Sequence, residues 1–418
     1  MFIELEVGWM SHPFPTGSFK ISSNKQIDSI RALGLTRIRH LPDRSDPAAL
    51  VPAGLDPPTL AQSGRYLGAE SLADNAHSKE QVMRKQRARL IGLQRASLAA
   101  CERSHGEAVR DYKNVLEKIE TQPKAAADQC LGTVNGLVDQ MVLEGESAIR
   151  LLSEGMGDQA SMHPVNVTVM SLLLGKAMGL VQTDMVDLGL AAFLHDVGKS
   201  KLPQQVRWFE EGFALPEYRL YQDHVSHGVA IAKMMGLTEG ALLAIAQHHE
   251  MADGSGFPLR LRGDSLSPAA RILALVNRYE NLCNPVRCSS AMTPHEALAL
   301  IFAQQKNRFD GVSLRAFIRM MGVYPPGSVV QLVDERVAMV VSVNSSRPLK
   351  PRLIVFDSAI PKDEALILDL EQSPMLGIRR SLKPSSLPKA VIDYLSPRQR
   401  VCYFFERAID SIQEEARA

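Results

Sequence analysis

Apolar positions recur at helical spacing through the middle of the chain and at strand spacing towards both ends. Between about residue 130 and residue 322 the runs Leu172–Leu180, Met185–Leu194, Val225–Met235, Leu242–His249, Pro268–Leu282 and Pro294–Phe302 each predict a helix. No strand-like run interrupts them, so this stretch predicts an all-α domain. Thr183 or Asp184 is the expected N-cap of the second helix.

The flanks read differently. Phe2–Met10 alternates in part, and Pro13, Pro15 and Gly17 punctuate it. Ser22–Leu33 predicts a short helix with Ile27, Ile30 and Leu33 on one face, and Thr36–Leu41 is strand-like. Residues 42–75, rich in Pro, Gly, Asp and Ser, predict a linker. Charged residues interleave with Leu90, Leu93, Leu98 and Val109 across 78–120, which predicts a long helix or helix pair, either a coiled-coil stalk or an ordinary packed helix. After Tyr324-Pro325-Pro326-Gly327, the Val/Ile-rich runs Ser328–Leu332, Val337–Val343 and Arg352–Phe356 predict a small antiparallel β unit, a compact barrel in form. The remaining tail is mixed and is expected to end in a helix.

The expected organisation is therefore multidomain and mainly α. A small α+β accessory module covers 1–70, a linker and long helix or helix pair 71–135, an all-α domain 136–322, a small β unit 323–372 and a partly helical tail 373–418.

Composition changes this picture little. With 45% apolar residues the 418-residue chain can build sizeable cores, and a net charge of +1 gives no reason to expect a nucleic acid polymer as partner. The basic cluster at 84–89 reads as a solvated helix face. Cys101, Cys130, Cys283, Cys288 and Cys402 are odd in number and lack a CxxC spacing, which suits reduced thiols in the cytoplasm. No signal peptide is apparent at the N-terminus, and no run of about 18 apolar residues predicts a membrane span.

The candidate chemistry lies in two strings. His195-Asp196 opens HDVGK at the end of an apolar helix, and HHEMADGSGFP follows at 248–258. Six of the eleven histidines fall between 163 and 249. His163, His195, His224, His248 and His249, with Asp196, form the candidate ligand set, since imidazole suits Fe, Mn, Zn or Ni and a carboxylate can bridge two ions. A pair of divalent ions points to phosphate-ester hydrolysis. At a helix C-terminus His195 and Asp196 can both face one cleft, with Gly198 allowing the turn. Neither string is H-E-x-x-H, so a zinc-protease reading lacks support. Lys199 reads either as an electrostatic clamp on a phosphoryl oxygen or as a surface lysine after a turn.

Residues 150–322 resemble the HD-GYP family, a subgroup of the HD phosphohydrolases best known for hydrolysing cyclic di-GMP. His163 with Asn166-Val167 is similar to the family's first ligand helix, HDVGK to its HD signature, and His224 with Gly228 to its H-x-x-x-G, which leaves His227 a bystander. HHEMADGSGFP resembles HHE-x-x-DG-x-GYP with Phe257 in place of Tyr, and Leu261, Gly263, Leu266 and Ala270-Arg271-Ile272 continue the pattern. The first 70 residues resemble a small module that accompanies some HD-GYP domains. Three departures stand out: Asn277 replaces the usual ligating Asp, Gln159 replaces the Glu that supports a third metal, and Asn284-Pro285-Val286-Arg287 replaces an Arg-Pro-Tyr segment.

The resemblance implies a phosphodiesterase acting on cyclic di-GMP with two divalent metal ions, iron or manganese first, with Zn, Ni and Mg open. It implies one ion on His163, His195 and Asp196, with Asn277 a weak fourth ligand, and a second on Asp196, His224, His248 and His249. Asp196 and Lys199 are the expected catalytic residues. Lys199, Asp253, Gly254, Gly256, Phe257, Pro258 and, weakly, Arg287 are the expected substrate contacts, and pGpG, then GMP, the products. The alternatives are a weak or inactive module that binds metal and cyclic di-GMP and acts through a partner such as a diguanylate cyclase, and an HD phosphohydrolase for another nucleotide. A homodimer is compatible with each.

Overall fold

The structure, a computed structural model, describes residues 1–5, 12, 14, 16–33, 35, 37–45, 69–143, 147–153, 159–208, 213–373 and 375–407. At the N-terminal end, strands β1 (Phe2–Glu4), β2 (Ser18–Lys20) and β3 (Arg39–His40) form an antiparallel sheet in the order β2-β1-β3. Helix α1 (Asn24–Ala32) starts at Ser23, whose side chain accepts from the Gln26 N–H. Ile30 joins Ile3, Leu5, Phe14 and Phe19 in a small core against which Leu33 packs. Of the expected strand at Thr36–Leu41, Arg39–His40 pair with β1, and Thr36 lies outside the described residues. Most of the expected linker, residues 46–68, lies outside the described residues.

Helix α2 (Ala69–Lys118) starts inside that expected linker. From Cys101 on it is a packed helix: Cys101, Ala108, Val109, Tyr112 and Val115 recur at spacings of three, four and seven and join the main core, as does α3 (Pro123–Leu143).

The helical body follows as α4 (Gln159–Ala177), α5 (Gln182–Leu194), α6 (Leu215–Met235), α7 (Glu239–Gln247), α8 (Pro268–Cys283), α9 (Pro294–Gln304) and α10 (Gly311–Met321). The sequence had singled out no helix at α10. Helix α5 is the centre of the packing, with Leu188 through Leu194 all buried. Each fully buried Leu or Phe of this kind contributes about 1.5–3 kcal/mol. Its N-cap is Val181, not Thr183 or Asp184: Val181 is extended, and the helix has begun by Gln182 without a side-chain cap.

One strand does interrupt the expected all-α stretch. Strand β4 (Ser147–Leu151) pairs on one side with β10 (Tyr403–Arg407) and on the other with β6 (Val337–Asn344). Its neighbours are supplied some 190 residues or more later in the chain, so local pattern could not reveal it. Buried Arg150 on β4 lies 3.6 Å from the buried Glu406 carboxylate on β10. The rest of this antiparallel sheet is β5 (Val329–Leu332), β7 (Arg352–Val355), β8 (Ile367–Asp369) and β9 (Ile378–Leu382), in the order β10-β4-β6-β5-β9 with β7 and β8 branching from β6. The end strands β10 and β9 do not pair among the described residues, so an open sheet stands where a compact barrel was expected. Helix α11 (Lys389–Leu395) lies between β9 and β10, and the expected terminal helix at 408–418 lies outside the described residues. The protein is thus mainly α-helical, with β-containing regions at both ends of the chain. No helix among the described residues is long and apolar enough to cross a membrane.

Candidate metal centre

Four helices deliver the candidate ligands. His163 lies in the first turns of α4. Helix α5 ends at Leu194, His195 is its C-cap, and Asp196 opens a 3-10 turn over Val197–Lys201. His224 lies within α6, and His248 is the C-cap of α7 with His249 next to it. Ending α5 and α7 at these histidines lets adjacent side chains leave one helix end towards the same centre. Gly198 serves this arrangement differently from the expected turn. A Cβ there would lie 2.0 Å from the His224 carbonyl oxygen and 2.4 Å from the Gly228 nitrogen, so glycine is needed because the 3-10 turn rests directly on α6.

The side chains converge as two groups that share Asp196. Ligand atoms of His163, His195 and Asp196 all lie within 4.8 Å of one another, as do those of Asp196, His224, His248 and His249. The Asp196 oxygens divide the rings between them. Oδ2 is 3.5 Å from His163 Nε2 and 3.4 Å from His195 Nε2, and Oδ1 is 3.7 Å from His224 Nε2 and 3.9 Å from His248 Nε2. This is a two-metal-ion binding cluster.

The residues fit metal ions on a second observation. Asp196 Oδ1 and His249 Nε2 are buried with no hydrogen-bond partner. A buried carboxylate oxygen without a donor costs about 1–3 kcal/mol or more, and a cation between the facing nitrogens and oxygens removes that cost. Five imidazoles and one carboxylate suit a divalent transition-metal ion.

Ring orientation is fixed from behind. His195 Nδ1 donates to Ala192 O at 2.8 Å and His248 Nδ1 to Ile245 O at 2.7 Å, and His224 Nδ1 donates to Tyr221 O. Each turns Nε2 inward, towards the shared carboxylate. His163 is held by a carboxylate instead: its Nδ1 meets Glu280 Oε2 on α8.

The electrostatics separate the two groups. Burial lowers His224 to about 4 and takes His248 and His249 well below the usual imidazole value, so these rings are neutral. Burial also pulls His163 down, but the Glu280 and Asp196 carboxylates more than offset it and raise it to about 9. Burial favours the neutral carboxyl at Asp196, yet the Lys199 ammonium and the neighbouring histidines outweigh it and hold Asp196 well below the usual carboxylate range. Lys199 Nζ sits 2.6 Å from Asp196 Oδ2, and that carboxylate raises the lysine against the effect of its own burial.

Glu280 is the site residue that sequence reading did not single out. It lies three residues after Asn277, on the same face of α8, and that spacing was the available signal. Its Oε1 accepts from Asn166 Nδ2 at 3.2 Å and Asn284 Nδ2 at 2.8 Å. Both amides also donate to Val401 O, at 3.1 and 2.8 Å, and the Val401 N–H returns to Asn284 Oδ1 at 2.9 Å. Asn277 is buried, but its Oδ1 accepts from Asn281 Nδ2 at 2.6 Å, an engagement that competes with ligation. The side chain of Gln159 lies outside the described residues.

The loop after α7 reaches the centre through one ring. Phe257 stacks on His249 with centroids 4.5 Å apart. Gly256 allows close approach, since a Cβ there would lie 2.5 Å from the His249 carbonyl oxygen. Buried Glu250 accepts from the Leu259 and Leu261 N–H groups and ties the loop to the end of α7. Asp253 is exposed and accepts from the Ser255 N–H, which closes the loop's own turn. Gly254 takes a left-handed φ of 78° in that turn, and Pro258 and Arg287 are exposed.

Known proteins match the two parts of the chain separately. Residues 146–312 match a family described as HD domain, and residues 1–130 match a domain of unknown function (DUF3391). A cyclic di-GMP phosphodiesterase of Pseudomonas aeruginosa is 28% identical over 48% of this chain and 49% of its own. A cyclic di-GMP phosphodiesterase response regulator of Xanthomonas campestris is 30% identical over 35% of this chain and 39% of its own. A 3'3'-cGAMP-specific phosphodiesterase of Vibrio cholerae is 27% identical over 42% of this chain and 35% of its own. The match thus spans about half or less of the length of each of these relatives. Among solved structures, an HDG"Y"P protein of Bdellovibrio bacteriovorus aligns with 59% of this chain and 79% of its own, at 15% identity and a TM-score of 0.44. The chain carries an HD-type metal-binding domain related to those of cyclic-dinucleotide phosphodiesterases, and a buried His/Asp cluster of this kind is typical of catalytic HD phosphohydrolases.

Proposed function

We propose that the protein is an HD-GYP-type phosphodiesterase that hydrolyses cyclic di-GMP to pGpG and then GMP, with residues 136–322 as the catalytic unit. The observation that carries this reading is the division of Asp196, whose two oxygens each address a different set of imidazoles. His163, His195 and Asp196 would hold one ion, and Asp196, His224, His248 and His249 the other, with iron or manganese first in expectation. Two such ions supply a lowered pKa for water and neutralise charge on a phosphoryl oxygen.

The chain's own groups do the rest. Nδ1–H bonds to backbone carbonyls keep three rings in the tautomer that ligates through Nε2. Lys199 is cationic beside Asp196 and is placed to neutralise charge that develops on the phosphate. Phe257 covers the outer face of His249 and keeps water from that ring. The likeness to curated phosphodiesterases for cyclic di-GMP and 3'3'-cGAMP supports a cyclic dinucleotide as substrate.

Metal analysis of anaerobically purified protein, paired with a cyclic di-GMP assay, tests this. Two ions per chain and turnover are expected, with both reduced in His195→Ala. Equal trace activity in wild type and His195→Ala would sink the proposal.

The engagement of Asn277 with Asn281 favours a second reading, a module that binds metal and cyclic di-GMP and signals to a partner such as a diguanylate cyclase. Calorimetry with tight binding and no product over hours would select it.

A further inference from the structure

Helix α2 lies outside the segment that matches the HD domain and inside the one that matches the domain of unknown function. From this helix the fully buried His105 reaches into the shell behind His163, with its Nε2 3.3 Å from Asn166 Oδ1. Asn166 Nδ2 donates to Glu280 Oε1 at 3.2 Å, and Glu280 Oε2 meets His163 Nδ1. A chain of hydrogen bonds thus runs from α2 through Asn166 and Glu280 to a metal-facing imidazole.

The partners fix which atoms donate. Val401 O, an acceptor only, lies 3.1 Å from the end of Asn166 that also faces Glu280, so that end is the amide nitrogen. The Tyr403 N–H, a donor only, reaches the other end at 3.3 Å, so that end is the oxygen. The contact with His105 therefore needs a proton on Nε2. Burial lowers His105 to about 4, so the ring is neutral and has one proton to give, and its Nδ1 is buried with no hydrogen-bond partner. A bare buried acceptor is unfavourable, and an apolar side chain would fill the space without one. What imidazole adds at this position is the bond to Asn166.

We propose that His105 is a positioning residue for the metal centre: its donation to Asn166 Oδ1 keeps the amide turned towards Glu280 and so holds Glu280 behind His163. Helix α2 thereby supports a centre whose candidate ligands all lie in the HD match. The inference rests on the metal-binding part of the proposed function and not on the substrate.

Met and Gln are close in size, but only Gln keeps an N–H donor. With manganese(II) titrated into metal-free protein, His105→Met should weaken one of two sites about fivefold, as for loss of one hydrogen bond. The other site should keep wild-type affinity, and His105→Gln should recover most of the loss. In a Glu280→Ala background, where the path is cut, His105→Met should cost no further affinity. Nitrogen resonances of histidine-labelled wild type give a readout that needs no stable variant. The ring in contact with Phe404 should carry its proton on Nε2, and a proton on Nδ1 would overturn the donor role. Both sites weakened alike, a loss that Gln does not recover, or a lower thermal midpoint with both affinities intact would overturn the positioning role and leave the phosphodiesterase reading standing. The one-site loss with recovery by Gln, in a protein that hydrolyses no cyclic dinucleotide, would do the reverse.

Discussion

The two halves of the metal centre differ in how one imidazole is held: His195, like His224 and His248, is set by a carbonyl of its own helix, and His163 is not. On the side of His224, His248 and His249, two of the rings are set by carbonyls three residues earlier on their own helices, and burial keeps all three neutral. On the side of His163, the ring is set by a carboxylate 117 residues away, which also favours its protonated form. The His224 half is assembled wherever α6 and α7 form and meet. The His163 half exists only when α4, α8 and the segment around Val401 are in register together. Asp196 belongs to both.

The largest effect should come from that shared residue. Asp196→Asn removes the charge both groups rely on, so metal content should fall from two ions to none. A variant that keeps one ion would show the halves to be independent.

The second contrast is in pH. With His163 raised to about 9, the metal-free protein carries a proton there at neutral pH, and an ion entering the first group must expel it. Affinity at that group should therefore rise roughly tenfold per pH unit, about 100-fold from about pH 6 to about pH 8. The second group is neutral across that range, with His224 at about 4, so its affinity should stay flat. Ion titrations at several pH values would show two slopes, and a single common slope would break the comparison.

Smaller again is Glu280→Gln. Loss of a carboxylate behind a ligating histidine typically costs about 10–100-fold in metal affinity. The loss should fall on one ion of the two, with the other still bound at wild-type strength. The least effect is expected from Asn284→Ala, which removes one donor to Glu280 and one to Val401. About 1–2 kcal/mol of stability should be lost, read as a lower thermal midpoint, with first-group affinity falling only severalfold.

What could be read in the sequence follows the same division. The HDVGK and HHE strings were legible because helix ends and neighbouring residues are local facts. The helices were legible because their apolar faces, as on α5, are nearly continuous. Strand β4 was hidden because its five buried residues gain strand partners only from residues 342–344 and 403–407, and because Arg150 does not look like a core position until Glu406 is beside it. Gly198 was noticed for the wrong reason: its sequence neighbourhood suggests a turn, and only the approach of α6 shows the 2.0 Å collision that any Cβ would make. Glu280 was passed over, since the His163 that gives it a purpose is on another helix.

The segment around Val401 carries a consequence for biosynthesis. Its carbonyl accepts from Asn166 and Asn284, its N–H donates to Asn284, and the Tyr403 N–H reaches Asn166 Oδ1 at 3.3 Å. These bonds close the shell behind His163, and the ribosome makes them some 235 residues after the helix they support. A nascent chain halted between His249 and Val401 would display every histidine of the centre and still lack the scaffold behind His163. Ordering of the shell behind His163 thus waits for residues near the end of the described chain.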